Sequence, residues 1–465
     1  MGLISHKSDY TGRFNDKRLD RRATLLSNAI FSGRSSKVHA VTRSEAEQKG
    51  FYRFLSNERA TEDHLIEEMT DRCSRLVKGR DVLVIQDSSS IGLSHHWRHL
   101  KPKKGLGLVG NKEGIGFLTH VSMVIDAHRG TMLGYCDVQL WHRTKDKANN
   151  TTRVYKKEHI EQKESYRWIK AGYRAKELLA EASGITIIQD REGDIYEQFC
   201  LIADQRTHLL IRSHNDRKLA DGGKLYARLQ SDPVLGSYTV AIPGDIRRKR
   251  KKRTAKVSVK CVPVTIAKPS GLKAATLPPS ITLYAIEVAE INSRSGQKLC
   301  WRLLVTEKTE TFEQAVTMIN RYKQRWFVEQ LFRLLKNQGY RIESTELETG
   351  WAIRKMFVLT LNAALRVMQL YLSYEKEERQ PLAEVFTEKE IRCLKLIERK
   401  QVSQKSGVNN PHNKDQLAWA TWIIAGLAGW KGNPKQRKAG PILLKRGLEK
   451  FDLMYQGWLL TQNDT

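Results

Sequence analysis

Six cysteines, at positions 73, 136, 200, 261, 300 and 393, are spread over 465 residues without a single C-x-x-C pair. That pattern excludes a disulfide framework and a thiolate zinc site, and it fits a reducing, cytoplasmic compartment. The opening residues, M-G-L-I-S-H-K-S-D-Y, hold no apolar core of secretory type. The longest apolar stretch, Met356 to Leu372, is interrupted by Asn362, Arg366 and Gln369. A buried helix is therefore expected there, and no membrane span. There is no lipidation motif, no internal repeat, and no low-complexity segment beyond one basic run. No G-x-S-x-G elbow surrounds Ser88, Ser89 and Ser90, which argues against a serine-hydrolase triad. Acids are also scarce. The 51 Asp and Glu face 80 Lys and Arg, a net charge of +29. An excess of that size points to a polyanionic partner, foremost nucleic acid.

The rest of the composition, 40% hydrophobic and 28% charged, is that of an ordinary globular protein of about two to four domains. Residues 1–69 are basic and helical in pattern, in K-R-L-D-R-R-A-T-L-L-S-N-A-I-F and E-A-E-Q-K-G-F-Y-R-F-L. A helical DNA-binding module is expected, with a generic helical cap as the alternative. Residues 70–375 change period. D-V-L-V-I-Q-D and I-T-I-I-Q-D read as buried strands that deliver Asp87 and Asp190 to their C-terminal edges. Two further strands joined by A-H-R-G read as a hairpin, and Ser165 to Ala182 as a helix closed by Gly184. This order predicts an α/β fold, a mixed sheet flanked by helices, with ligands at the strand ends. Residues 214–299 read as an inserted β subdomain whose tip carries the basic run Arg247–Arg253, either a phosphate contact or a solvated charge run. Residues 376–465 are helical, and Trp419, Trp422, Trp430 and Trp458 cluster there. Aromatics at that spacing are core or, in so small an appendage, a subunit interface.

The chemistry centres on R-Y-K-Q-R-W-F-V-E-Q-L-F-R-L-L-K. On a single helix Tyr322, Arg325, Glu329 and Lys336 would fall within roughly 60° of one another, opposite Phe327, Val328, Leu331, Phe332, Leu334 and Leu335. Asp87, Asp190 and Glu329 together would make a hard-oxygen site for Mg²⁺ or Mn²⁺, with the neighbouring cations on phosphate. Two such ions serve in-line displacement at phosphorus. His95, His96 and His99 have no carboxylate or thiol at ligand spacing and read as loop.

Y-x₂-R-x₃-E-x₆-K, with V-I-Q-D-S-S-S and I-I-Q-D-R-E-G-D before it, resembles the insertion-sequence-four family of DDE cut-and-paste transposases. S-G-R-S, G-F-Y-R-F-L, L-L-I-R-S-H, W-R-L-L-V-T and A-W-A-T-W-I-I-A-G-L-A-G extend the likeness over nearly the whole chain. The resemblance implies an RNase H-like core with a β insertion, an N-terminal end-binding domain and a C-terminal dimerisation region. It also implies two Mg²⁺ ions per site on Asp87, Asp190 and Glu329, with Mn²⁺ as a substitute. Tyr322, Arg325 and Lys336 would contact phosphate, and Trp301 and Trp326 would stack a flipped base. Arg212, Arg53, Arg34 and Phe31 would be further DNA contacts. The partners implied are double-stranded transposon-end and target DNA and a second copy of the chain, in a bacterial, nucleoid-associated setting. The reaction implied is end cleavage by hydrolysis and hairpin formation, then joining of the 3′-OH to target DNA. The rivals are a structure-specific RNase H-fold nuclease and an inactive, transposase-derived DNA-binding protein.

Overall fold

The computed structural model describes residues 8–94, 100, 105–109, 114–143, 158–242, 252–272, 276–291, 298–336, 339–374, 380–404, 409–432 and 438–462. The three loop histidines and most of the basic run, residues 247–251, lie outside the described residues.

Four helices open the chain: α1 (Lys17–Gly33), α2 (Val38–Val41), α3 (Glu45–Ser56) and α4 (Glu62–Ser74). Asp16 caps α1 by accepting from the Arg18 N–H, and Ser44 caps α3 by accepting from the Glu47 N–H. The strands are β1 (Asp81–Gly92), β2 (Gly107–Val109), β3 (Gly114–Asp126), β4 (Met132–Trp141), β5 (Gly184–Gln189), β6 (Thr207–Arg212), β7 (Gly236–Ile242), β8 (Arg253–Ala267), β9 (Ser280–Glu290) and β10 (Cys300–Val305). They form one mixed sheet in the order β2-β3-β1-β5-β6-β10-β9-β8-β7, with β4 on β3. β1, β5 and β6 run parallel, but β1 does not end at Asp87 as expected: it continues to Gly92 along β3, and Asp87 lies two residues past the last β1–β5 pair, while Asp190 directly follows β5.

Helices cover both faces. On one side α5 (Tyr166–Leu178) packs over Val82, Val84, Ile185 and Ile187. The alternate positions, Leu83 and Ile85, face α9 (Trp326–Leu335) and α10 (Gly350–Leu372). The helix α10 is buried along nearly its whole length, as its broken apolar run predicts. Among the described residues no helix is long and apolar enough to cross a membrane.

Several expectations need correction. The stretch 214–299 supplies β7, β8 and β9 between β6 and β10 and does not stand apart from the core: β9 pairs with β10, so these strands extend the central sheet. It also holds a short helix, α7 (Leu225–Ser231). The helix expected to run to Ala182 ends at Leu178, and Gly184 begins β5. Arg34 and Phe31, expected on a DNA-facing surface, are interior. Arg34 is 0% exposed and bonds Asp452 on α13 (Pro441–Gln462) and the Ala363 carbonyl, while its guanidinium covers the Phe31 ring. Trp419 and Trp422, on α12 (Leu417–Leu427), are core and not subunit interface, at 0% and 2% exposure.

Candidate active site

Asp87 sits on β1 with the parity of Leu83 and Ile85, so it faces α9. Asp190 directly follows β5 and caps the short turn that comes next, accepting from the Glu192 N–H at 2.8 Å. Glu329 stands in the first turn of α9.

The helix expected to carry all four signature residues is two helices. The first, α8 (Phe312–Lys323), starts at a Thr311/Gln314 capping box and ends just after Tyr322. Through the junction the bonds run three residues back: Gln324 N–H to Arg321 O, Arg325 N–H to Tyr322 O, Phe327 N–H to Gln324 O. The chain is tightened there to 3₁₀ spacing, and α9 begins at Trp326. Arg325 is the N-cap of α9 and Lys336 its C-cap. The expected apolar positions, Phe327, Val328, Leu331, Phe332, Leu334 and Leu335, are all buried.

Despite the break, the polar residues meet. Arg325 Nη1 donates to Asp87 Oδ2 at 3.1 Å, and its Nη2 donates to Glu329. Lys336 Nζ donates to Ser89 Oγ at 2.8 Å. Burial pushes the Asp87 carboxyl up to about 7; the Arg325 guanidinium opposes the rise, and the negative charges of Asp190 and Glu329 add to it. Burial likewise raises the Tyr322 phenol, against the fields of Arg325 and Arg212. Trp301, on β10, sets its ring 6.3 Å from that of Tyr322 at 61°. Trp326, the first residue of α9, is 53% exposed, and Arg53 is exposed on α3.

A preformed three-carboxylate cluster is not what the chain presents. Among the described residues no three Asp, Glu, His or Cys side chains are close enough to hold a metal ion. Between Asp87 and Glu329 the positive charge is the Arg325 guanidinium. The donor set still suits a hard divalent cation: it is all oxygen, and the raised Asp87 lies in the field of two other carboxylates.

Sequence reasoning passed over the other face of β1. Ser88 Oγ accepts from Arg167 Nε at 2.8 Å and lies 2.9 Å from Nδ1 of the buried His120. Burial, then Arg167, holds that imidazole well below its usual range. A cleft of about 750 Å³ opens here, lined by Ser88, Ser89, Arg143, Arg167, Arg191 and His214 among others. The signal was present in S-S-S after Asp87: on a strand those serines alternate faces, one toward Lys336 and one toward His120.

Among solved structures, the chain is similar to a piggyBac transposase in a synaptic complex with hairpin DNA, determined by cryo-electron microscopy. The match covers 77% of this chain and 66% of that one, at 10% identity and a TM-score of 0.34. The chain thus spans slightly under two thirds of that protein's length. The model described as Transposase DNA-binding matches residues 11–60, over the N-terminal helices. The model described as Transposase DDE domain matches residues 79–366, which span β1, β5, α9 and most of α10. With well over half its length matched, the chain belongs to the DDE transposase family.

Proposed function

We propose that this chain is a DNA transposase of the insertion-sequence-four type, nearest in motif layout to the transposase of transposon five. In this reading it cleaves the ends of its element by metal-dependent hydrolysis and hairpin formation, then joins the freed 3′-OH ends to target DNA. The observation that carries the reading is the Arg325 guanidinium, which bonds both Asp87 and Glu329, with Asp190 at the end of β5, the strand parallel to β1.

Asp87, Asp190 and Glu329 would hold Mg²⁺, or Mn²⁺ in its place, as two ions. Bound there, such ions polarise a scissile phosphate and make a water or a 3′-OH a better nucleophile. The rest falls to the chain. The Arg325 guanidinium, which in the free chain bonds Asp87 and Glu329, would be placed to grip phosphate in a bidentate way. Lys336 and Tyr322 add a point charge and a hydroxyl donor to the same group. Trp301 and Trp326 offer π-faces to an extruded base. Arg212 and Arg53 contribute backbone-phosphate contacts. The core would be RNase H-like.

Transposition needs two ends held together, so the active form is a homodimer on double-stranded DNA. The outer face of α13, where Leu453 and Leu460 are 71% and 70% exposed, supports a dimer contact there.

The deciding assay combines purified protein, Mg²⁺ and DNA carrying the element's own ends. Excision through hairpin intermediates supports transposition. Cutting without joining identifies a nuclease, and binding alone a derived regulator. Glu329→Ala should abolish cutting with end binding nearly intact; cutting at a comparable rate would remove Glu329 from the site.

A further inference from the structure

The strands that bear Asp87 and Asp190 are tied by side chains where their backbone pairing stops. Pairing between β1 and β5 runs from Asp81–Gly184 to Ile85–Ile188. The next residues are Gln86 and Gln189, and the two acids follow them. Gln189 Nε2 donates to Gln86 Oε1 at 2.6 Å. Gln198 Nε2, from the helix α6 (Tyr196–Leu201), donates in turn to Gln189 Oε1. All three side chains are 0% exposed. An amide ladder thus crosses from α6 through β5 to β1, on the sheet face opposite Asp87.

Stability does not explain it. A buried amide pair gains little net free energy over hydration, and an unpaired amide end in the interior is costly. Here both ends, Gln86 Nε2 and Gln198 Oε1, lack a partner among the described residues. Aliphatic side chains fill the same face one turn of the pleat earlier, at Val84 and Ile187. What the amides add is direction: each bond forms at one spacing and one orientation of the strands. The turn after β5 is seated on the ladder as well. A Cβ on Gly193 would lie 2.2 Å from Gln189 Oε1, so the segment leading away from Asp190 closes directly over that side chain.

We propose that Gln86, Gln189 and Gln198 are positioning residues, an amide ladder that fixes the separation of Asp87 and Asp190 and so sets how tightly the site takes a divalent cation. This rests on the reading of the acids as metal ligands. The ladder acts behind the ligands, in the way outer partners of metal ligands do.

The test is Mn²⁺ binding to the full-length protein, followed by electron paramagnetic resonance, for five proteins. These are wild type, Asp87→Asn, Gln189→Leu, Gln198→Leu and the triple variant with leucine at 86, 189 and 198. Gln189→Leu should weaken Mn²⁺ binding about ten-fold or more. The triple variant, which leaves no amide unpaired, should melt at or above the wild-type temperature yet bind Mn²⁺ as weakly. A ladder that served only packing would leave the triple variant's affinity unchanged. Cleavage by both variants should recover in excess Mn²⁺. Affinities within two-fold of wild type in Gln189→Leu and the triple variant would overturn the proposal. If those two fail to fold, Gln198→Leu decides, since it alters neither acid-bearing strand: several-fold weakening supports the ladder, wild-type affinity sinks it. Asp87→Asn separates the two levels. If it binds Mn²⁺ as wild type does, the metal reading fails and the ladder with it. If it loses binding while the glutamine variants keep theirs, the ladder alone is wrong.

Discussion

Lys336 Nζ lies 2.8 Å from the hydroxyl of Ser89, two residues past Asp87 on the same face of β1. Burial lowers the pKa of this ammonium, with Glu343 opposing. A partly desolvated cation held by a neutral hydroxyl exchanges that partner readily for phosphate. Lys336→Met should therefore slow single-turnover end cleavage by about 100-fold, the scale for losing one aimed donor. Ser89→Ala should change it by less than about five-fold, because the serine parks the lysine and carries no charge. Equal losses in the two variants would make Ser89 the important member of the pair.

Arg325 is the residue whose role changes most between states. In the free chain it bonds Asp87 and Glu329 together; in the proposed reaction it grips phosphate. Its fork spans two carboxylates, which a lysine ammonium cannot imitate. Arg325→Lys should thus resemble Arg325→Ala, each losing about 100-fold or more in cleavage at saturating Mg²⁺. Metal affinity should rise in Arg325→Ala, since a competing cation has left Asp87 and Glu329. Mn²⁺ titration checks this, and a weaker Mn²⁺ site in that variant would contradict the competition.

How much of this was legible beforehand follows from what kind of information each feature needs. Q-D at the end of two apolar β-rich runs, and E at the right phase of an amphipathic helix, are local patterns, and the proposal of Asp87, Asp190 and Glu329 as ligands starts from them. The break between α8 and α9 left no mark, since Gln324 and Arg325 keep right-handed helical dihedrals and neither is a breaker. Arg34 looked like a surface arginine because its partner, Asp452, is 418 residues away. Trp419 and Trp422 were ambiguous for a similar reason: only the packing of α10, α12 and α13 decides whether an apolar helix is core or contact. The glutamine ladder was hidden because its meaning lies in the register of β1 against β5, which no single segment encodes.

The Asp87 carboxyl gives a pH dependence of defined sign. Folded, it keeps its proton up to about 7, whereas an unfolded aspartate releases it near 4. Between those values the native state binds more protons than the unfolded one. The stability from this group is full below about pH 4 and is lost as pH rises through about 7. Melting of the DNA-free protein in chelator should therefore drop by several degrees more between pH 5 and pH 8 for wild type than for Asp87→Asn. Parallel pH profiles would show that Asp87 is already ionised at pH 5.

The Arg34–Asp452 pair makes a stability prediction unrelated to chemistry. Arg34 is fully buried, its Nη2 lies 3.2 Å from Asp452 Oδ2, and the two join the end of α1 to α13. Removing one partner strands the other charge in the interior, which costs about 3–5 kcal/mol. Asp452→Ala should lose that much in urea unfolding, while Asp452→Ala/Arg34→Met should recover part of it. A loss under about 1 kcal/mol would mean that the guanidinium finds water on its own.

The outer face of α13 tests the proposed dimer. Leu453, Gly457 and Leu460 recur at helical spacing on one side, Leu453 and Leu460 are largely exposed, and a Cβ on Gly457 would meet only open space. Such a stripe contributes little to the fold of one chain, so Leu453→Asp/Leu460→Asp should shift unfolding by no more than about 0.5 kcal/mol per site. In a two-fold contact each substitution acts twice and brings like charges together across the axis. The double variant should therefore still shift a single transposon end in a gel yet form no paired-end complex, and light scattering on end-bound protein should report one chain per DNA. Trp422→Ala should act in the opposite way. It opens a core cavity and costs about 3–5 kcal/mol, so its pairing defect should follow the loss of folded protein and disappear when binding is normalised to native chains. Paired complexes at the wild-type level in the double-aspartate variant would move the contact off α13.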